Sequence, residues 1–352
     1  MSDTNPEIVS NRSEIVFLYD AVDANPNGNP LSGANRPRID PQTQQAIVTD
    51  VRLKRYLRDQ LEDDGHGVYI RNVKEDGESY TREQLLADRI RELDLDSIDD
   101  EELEDKVFGK FLEKSVDVRY FGATMSVDAK DEIAEHLPDH FTGPVQFSPG
   151  KTLHGVNENE GYNSLTSVIA TQEGKEQGGF DLDDHRIQYG LIAFHGLVDE
   201  HGAEDTRLTE DDVRRLDTLC WRAIKNQTVS RSKIGQEPRL YLRVEYDGES
   251  YHIGGLSHDL ELDEERSKPD EELRTCRDLH IKIDRLIDRL EDNADRVNTI
   301  HAAASDVLQV SYRDQAGGPD LLYDALEKSV GGAVHEVDVY GEYRETLPDS
   351  EE

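Results

Sequence analysis

Seven runs rich in β-branched and aromatic residues recur along this chain, and any fold must give each of them a sheet partner to bury it. They are EIVFLYDA (14–21), GVYIRNV (67–73), VDVRYFG (116–122), GPVQFS (143–148), IQYGLIAFHGLV (187–198), RLYLRVEYD (239–247) and AVHEVDVYG (333–341), bounded by Gly, Asp or Pro. Helices are predicted between them. One runs from 49 to 61, with Leu53, Leu57 and Leu61 four apart behind a Thr49 or Asp50 cap. TREQLLADRIREL, from Thr81, opens on a T-x-x-Q capping box. A third starts at Thr209 and carries Val213, Leu216, Cys220 and Ala223 on one stripe, and a long helical stretch is expected from Glu271 to Leu290, extending toward Val310.

The order β, α, β early and again later, with insertions between, predicts an α+β fold built on a split βαβ sheet of ferredoxin-like or RNA-recognition-motif type. A doubly wound parallel sheet competes, but helices and strands do not alternate regularly, and no G-x-G-x-x-G or Walker loop follows a strand. Residues 1–72 and 187–345 are assigned to the sheet domain, with helical additions at 257–330, and 73–143 to an insertion. The polar, glycine-rich stretch 149–186 has a β-prone centre at 164–171 and is too long for an ordinary connection. It reads as a protruding hairpin or flap. The chain after Gly341 is acidic and is expected to fray, with 346–352 set apart as a tail.

The 352 residues include 77 Asp and Glu against 40 Lys and Arg, a formal net charge of -37. Such a balance ordinarily disfavours a polyanionic partner. Here the acids are spread along the whole chain and arginines outnumber lysines 27 to 13, a pattern of adaptation to high intracellular salt. In molar salt the Debye length is about 3 Å, so local charge decides binding and net charge does not. Cys220 and Cys276 lie far apart, without a C-x-x-C pairing, and point to neither a disulfide framework nor a zinc site. No apolar run approaches the roughly 18 residues of a membrane helix and no secretory leader opens the sequence, so a cytoplasmic location and no membrane partner are expected.

Two stretches invert the acidic balance. Residues 36–58 hold Arg36, Arg38, Arg52, Lys54, Arg55 and Arg58 against Asp40 and Asp50; residues 222–243 hold Arg222, Lys225, Arg231, Lys233, Arg239 and Arg243 against Glu237. The first follows ANPNGNPLSGANRPRID (24–40), a loop of Asn, Gly and Pro. On the helix after it, Arg52, Arg55 and Arg58 fall three apart, on a side distinct from the leucine stripe. Loop amides and a helix N-terminus near Thr49 add donors suited to an anion. A phosphate cradle is therefore expected here; the alternative is a solvated basic helix face beside an ordinary loop. The second island places a basic loop directly before a strand, where it lines the same groove or merely balances nearby acids. Lys151 and His154 lie in an acid-free stretch from Gly143 to Val156.

Catalytic and metal readings are weaker. His136 and His140 have helical ligand spacing, but Pro138 interrupts the helix. DLDDHR (181–186) groups three carboxylates with His185, as acidic loops often do in this composition, so no metal or cofactor is assigned. His154, His185 and His195 are the candidates for acid-base cleavage of RNA. No nucleophile and base stand close enough in sequence to specify a triad.

The motifs NPNGNP, NRPRIDP, VTDVRLKRYLRD, VRYFGATM, TGPVQFSPGKTLH, YGLIAFHG and SRSKIGQEPRLYLRVEY resemble the backbone subunit of type I-B CRISPR Cascade complexes, in its haloarchaeal branch, within the repeat-associated RNA-binding superfamily. The resemblance extends from about Val16 to Val244. It implies a modified RNA-recognition-type palm with finger insertions and a thumb hairpin within 149–186, and copies that polymerise head to tail along a guide crRNA. It implies no catalysis: the partners are the crRNA, target DNA through the guide duplex, other Cascade subunits and a recruited helicase-nuclease. Carried over by motif, the RNA-binding positions are Asn27, Arg36, Arg38, Thr49, Arg52, Lys54 and Arg55, with Arg231 and Lys233 from the second loop, and Lys151 and Thr152 from the thumb. No RNP1-type aromatic pattern is present, so phosphate and shape recognition is the expected mode. The alternative is a metal-independent endoribonuclease of the same superfamily that processes the guide precursor.

Overall fold

The computed structural model describes residues 7–28, 36–75, 78–93, 103–125, 137–138, 140–159, 165–166, 181–182, 185–228, 232–248 and 250–348. Three long strands dominate: Ser13–Ala24, Ile187–Val198 and Gln236–Tyr246. Ser13–Ala24 pairs antiparallel with both of the others, so Phe17 faces Phe194 on one side and Tyr241 on the other. Its side chains alternate between two covered faces, which is why the run is apolar almost throughout. Among the described residues the full sheet has nine strands. Its order is Val334–Glu336, Val297–Ala304, Gln236–Tyr246, Ser13–Ala24, Ile187–Val198, Gly150–Thr152, Ala46–Val48 and Arg38–Ile39, with Val145–Phe147 also paired to Ile187–Val198. Among the described residues of this sheet, only the Val297–Ala304 and Val334–Glu336 pair is parallel.

Helices α1 (Asp50–Asp63) and α6 (Glu210–Lys225) cover one face. Leu53, Leu57 and Leu61 of α1 and Val213, Leu216, Cys220 and Ala223 of α6 pack there with Phe17, Tyr19 and Tyr241. Both helices start at a threonine that accepts a backbone N–H, Thr49 from Arg52 and Thr209 from Asp212. The chain thus runs from Ile187–Val198 through α6 into Gln236–Tyr246, two parallel strands with Ser13–Ala24 between them. The other face carries Val16, Leu18, Leu240 and Leu242 beneath a cover from residues 256–330 that includes α7 (Asp284–Asp292) and α8 (Pro319–Ser329). A third cluster joins α2 (Arg82–Arg91), α3 (Leu103–Lys114) and α4 (Val116–Phe121) around Tyr69 and Phe111. A short helix, α5 (Glu200–Thr206), precedes α6. No helix among the described residues is long and apolar enough to cross a membrane.

Several expectations are corrected. VDVRYF is a helix, and its buried Asp117 accepts the N–H groups of Tyr69 (2.7 Å) and Ile70 (3.2 Å) while pairing with Arg58 (2.9 Å). Arg89 donates to the Val68 carbonyl at 2.8 Å and the Gly67 carbonyl accepts the Val116 N–H at 2.8 Å, so the backbone groups of the GVYIRNV run are taken up by side chains and by loop and helix backbone, and it forms no strand. The long helix from Glu271 is broken into short turns, the strand Ile281–Lys282 and α7; VNTIHAAA then becomes the strand Val297–Ala304 because it can pair with Gln236–Tyr246. The AVHEVDVYG run divides into Val334–Glu336 and a short helix, Val339–Glu342. The chain beyond Gly341 does not fray up to residue 348: Arg222 stacks 3.8 Å from the Tyr343 ring centroid and Arg215 bonds the Thr346 carbonyl at 3.1 Å.

Candidate nucleic-acid interface

The C-terminal end of Ser13–Ala24 is where the two basic islands meet. The Asn25 N–H donates to the Ser232 carbonyl (2.8 Å) and the Val22 N–H to Gly235 (2.9 Å), joining the first loop to the second across some 200 residues of chain. The Lys233 ammonium then donates to the carbonyls of Asn25 (2.6 Å), Pro26 (3.0 Å) and Gly28 (3.0 Å). Arg52 reaches the same Gly28 oxygen at 3.1 Å from the first turn of α1. Tyr56, one turn on, bonds the Pro26 carbonyl at 2.9 Å, and the Arg52 guanidinium lies 5.8 Å from its ring centroid. Asn27 closes the arrangement: its side-chain oxygen accepts the Thr49 N–H and hydroxyl, both at 3.0 Å. Asn27, Thr49, Arg52 and Lys233 are therefore one assembly at the N-terminus of a 14-residue helix, whose dipole favours an anion.

A second cationic group stands on the sheet itself. Cross-strand register places Arg38, Ile47, Lys151, Ala193, Leu18 and Leu240 in one row. Leu18 and Leu240 lie under the 256–330 cover, whereas Arg38 and Lys151 are exposed beyond its edge. Strands lie about 4.8 Å apart, so these two cations sit roughly 10 Å apart on one face. Lys151 also lines a cleft of about 990 Å³ between the open half of the sheet and residues 257–270, with Lys268 on the opposite wall. Neither Arg38 nor Lys151 forms an ion pair among the described residues, unlike Arg55, Arg58 and Arg222.

The remaining expected positions divide. Arg36 is exposed. Arg55 is a third exposed and pairs with Asp59 at 2.5 Å. Lys54 turns inward, donating to Gln146 (2.7 Å) beside the Phe121 ring, and burial lowers its pKa from the usual lysine range. Arg231 lies outside the described residues. Thr152 and Lys151 belong to the main sheet, not to a protruding hairpin: buried Thr152 accepts the Ala46 N–H (3.0 Å) and donates to the His154 carbonyl (2.7 Å). Farther along, Leu165–Thr166 and Asp181–Leu182 pair antiparallel.

Two of the three candidate histidines, His154 and His195, are engaged in bonds to the fold. His154 stacks on Tyr189 (5.5 Å), donates from Nδ1 to the Gly155 carbonyl (2.8 Å) and accepts the Leu191 N–H at Nε2 (3.2 Å), so the neutral ring is required; burial lowers its pKa. His195 bonds Glu14 at 2.9 Å. Burial alone would raise the Glu14 pKa, but bonds from His195, Leu256 and Gly254 overcome it and hold the group at about 2. His195 stands four residues beyond Leu191 on the same strand, roughly 13 Å away at ~3.3 Å per residue, so the two rings make no acid-base pair. His185 lies 3.4 Å from Glu158. His136 falls outside the described residues. Among the described residues no three His, Cys, Asp or Glu side chains gather to hold a metal ion.

Residues 11–284 match the family model of CRISPR-associated protein Cas7. The chain belongs to the Cas7 family. A curated Cas7-family relative, CRISPR-associated protein Cas7 of Haloferax volcanii, is 52% identical over 341 residues, covering 94% of this chain and 98% of the relative. The chain is also similar to one in a solved CRISPR RNA-guided surveillance complex, pre-nicking, with TM-score 0.45 and 14% identity over 90% of this chain and 100% of that one. A chain of a second CRISPR RNA-guided surveillance complex gives TM-score 0.42 and 14% identity, covering 90% and 99%. For this Cas7-family member, sequence reading missed Tyr56, Gly235 and Gln146, which build the cradle or hold its cations. Tyr56 was hidden among apolar helix positions, and Gly235 carried the one available signal, a glycine directly before a strand.

Proposed function

We propose that this Cas7-family chain is a non-catalytic crRNA-binding backbone subunit, copies of which line a guide head to tail in a type I-B Cascade complex in the cytoplasm. The observation that carries the reading is the meeting of Arg52 and Lys233 at the Gly28 carbonyl, which brings two distant basic islands into one cradle beside a helix N-terminus. The sheet supports it. The order Gln236–Tyr246, Ser13–Ala24, Ile187–Val198, Gly150–Thr152 is that of two interleaved βαβ halves, the arrangement of a ferredoxin-like, RNA-recognition-type palm. The segment 73–143 then supplies the finger insertion, and the thumb lies within 149–186, beyond Lys151 and Thr152 of the main sheet. Arg36, Arg38, Arg52 and Arg55, with Arg231 and Lys151, hold ribose-phosphate and leave the bases unread, as a subunit serving any spacer requires. Base edges remain free for target DNA, and cutting is left to a recruited helicase-nuclease.

Binding of unrelated single-stranded RNAs tests this reading. Arg52→Ala with Arg55→Ala should weaken all of them by a similar factor and flatten the salt dependence of affinity by roughly 0.7 per lost contact. Losses that depend strongly on RNA sequence would refute phosphate recognition. No RNA cleavage is expected; a product abolished by a change at His154, His185 or His195 would instead establish the nuclease.

A further inference from the structure

We propose that Lys233 is a positioning residue that shapes the 25–28 loop for the RNA strand and touches no phosphate itself. This rests on the cradle reading above and assigns one of its cations a different task. A lysine ammonium has three N–H donors. All three have acceptors here, the carbonyls of Asn25, Pro26 and Gly28 at 2.6, 3.0 and 3.0 Å. The residue is only 5% exposed, and no carboxylate pairs with it among the described residues. Its backbone is fixed as well, because Gln236 donates to the Lys233 carbonyl (3.0 Å) and the neighbouring Ser232 carbonyl takes the Asn25 N–H.

A phosphate could reach this ammonium only by displacing one carbonyl, which would be left unsatisfied in a buried site. What the ammonium does for binding is indirect. Carbonyl oxygens repel a phosphate, and Lys233 draws three of them inward. The same tether holds Gly28 where Arg52 can anchor on it, and keeps Asn27 on the Thr49 cap. Burial and the nearby Arg52 charge push the Lys233 pKa down to about 7, a cost accepted to keep the loop closed.

Full-length wild type, Lys233→Met, Lys233→Arg and Arg52→Ala should be compared for affinity to single-stranded RNA across a salt series. Lys233→Met should weaken binding about tenfold, the size of one lost hydrogen-bonded tether, with an unchanged salt slope; Arg52→Ala should lower the slope by roughly 0.7. Lys233→Arg should not rescue, since a planar guanidinium cannot place three donors on three carbonyls that converge on one point. A lower slope in Lys233→Met, or rescue by arginine, would overturn the proposal in favour of direct contact. Should Lys233→Met not fold, the charge-conserving arginine variant carries the same decision. Amide exchange of the RNA-free protein is the separate check: the Asn25 and Gly28 amides should exchange faster in the Lys233 variants. Unchanged exchange would show that Lys233 does not hold the loop, whereas normal RNA binding by Arg52→Ala with Arg55→Ala would instead remove the cradle reading.

Discussion

Asp217 on α6 takes both prongs of the Arg243 guanidinium, at 2.7 and 2.8 Å, with the two side chains 2% and 4% exposed. The Tyr241 hydroxyl donates to the same carboxylate at 2.8 Å, so helix and strand are joined at the sheet's centre by three bonds. Asp217→Ala leaves a buried cation whose remaining partners among the described residues are the Ser13 hydroxyl at 3.2 Å and Glu245 at 3.5 Å. The expected loss is about 3 kcal/mol, the low end for breaking a buried pair, measured by chemical denaturation. Replacing both members, Asp217→Leu with Arg243→Met, should cost markedly less than the single change. If the double variant is the less stable one, packing and not charge isolation governs this position.

Arg38 and Lys151 are the opposite case, two exposed cations in one cross-strand row that form no ion pair among the described residues. Alanine at both should change stability by no more than about 0.5 kcal/mol. If the guide crosses the open half of the sheet, the salt slope of RNA affinity should fall by roughly 1.4, two contacts' worth for a single strand. An unchanged slope would confine the strand to the α1 end.

What was legible in the sequence was mostly local. Thr49, Thr81 and Thr209 each begin a helix as their spacing demands, because a cap needs only a side-chain oxygen three residues from its amide. The three longest strands were equally plain, since both faces are buried and each carries a long run of β-branched, aromatic and leucine residues. VDVRYF and VNTIHAAA failed in opposite directions because tertiary partners decided them: Asp117 anchors a six-residue helix, and the free edge of Gln236–Tyr246 recruits an alanine-rich strand. At the site, sequence showed that cations collect near Arg52 and Lys233. It did not show where their head groups point, and so Lys54 and Lys233 were indistinguishable from exposed Arg38. Burial of a lysine's head group depends on carbonyls and amides contributed by distant segments, which no spacing rule records.

Gly235 should tolerate no side chain. Its φ is +100°, and a Cβ would lie 2.5 Å from the Val22 carbonyl oxygen, a backbone atom of the central strand. Relief requires moving the very loop that carries Lys233. Gly235→Ala is expected to cost about 1–3 kcal/mol from left-handed backbone strain and the clash. RNA affinity should drop together with stability, and equally for unrelated sequences. Full affinity in a destabilised variant would show that the loop's placement does not matter to binding.

Acid sensitivity should trace in part to His66. It is 9% exposed, its Nε2 has no hydrogen-bond partner among the described residues, and burial, reinforced by the charge of Arg215, pushes its pKa from 6.5 down to about 4. The unfolded chain therefore takes up this proton near pH 6.5, while the folded chain resists until about pH 4. Between those values the unfolded state binds more protons, so stability falls as pH drops through this window and levels off below it. A displacement of that size corresponds to roughly 3 kcal/mol. Denaturant titrations at a series of pH values should show this slope in the wild type and a flatter one in His66→Asn. Glu14, with its pKa held at about 2, adds a separate loss only as pH falls below about 4.5. Identical profiles for wild type and His66→Asn between pH 6.5 and 4 would place the acid-sensitive group elsewhere.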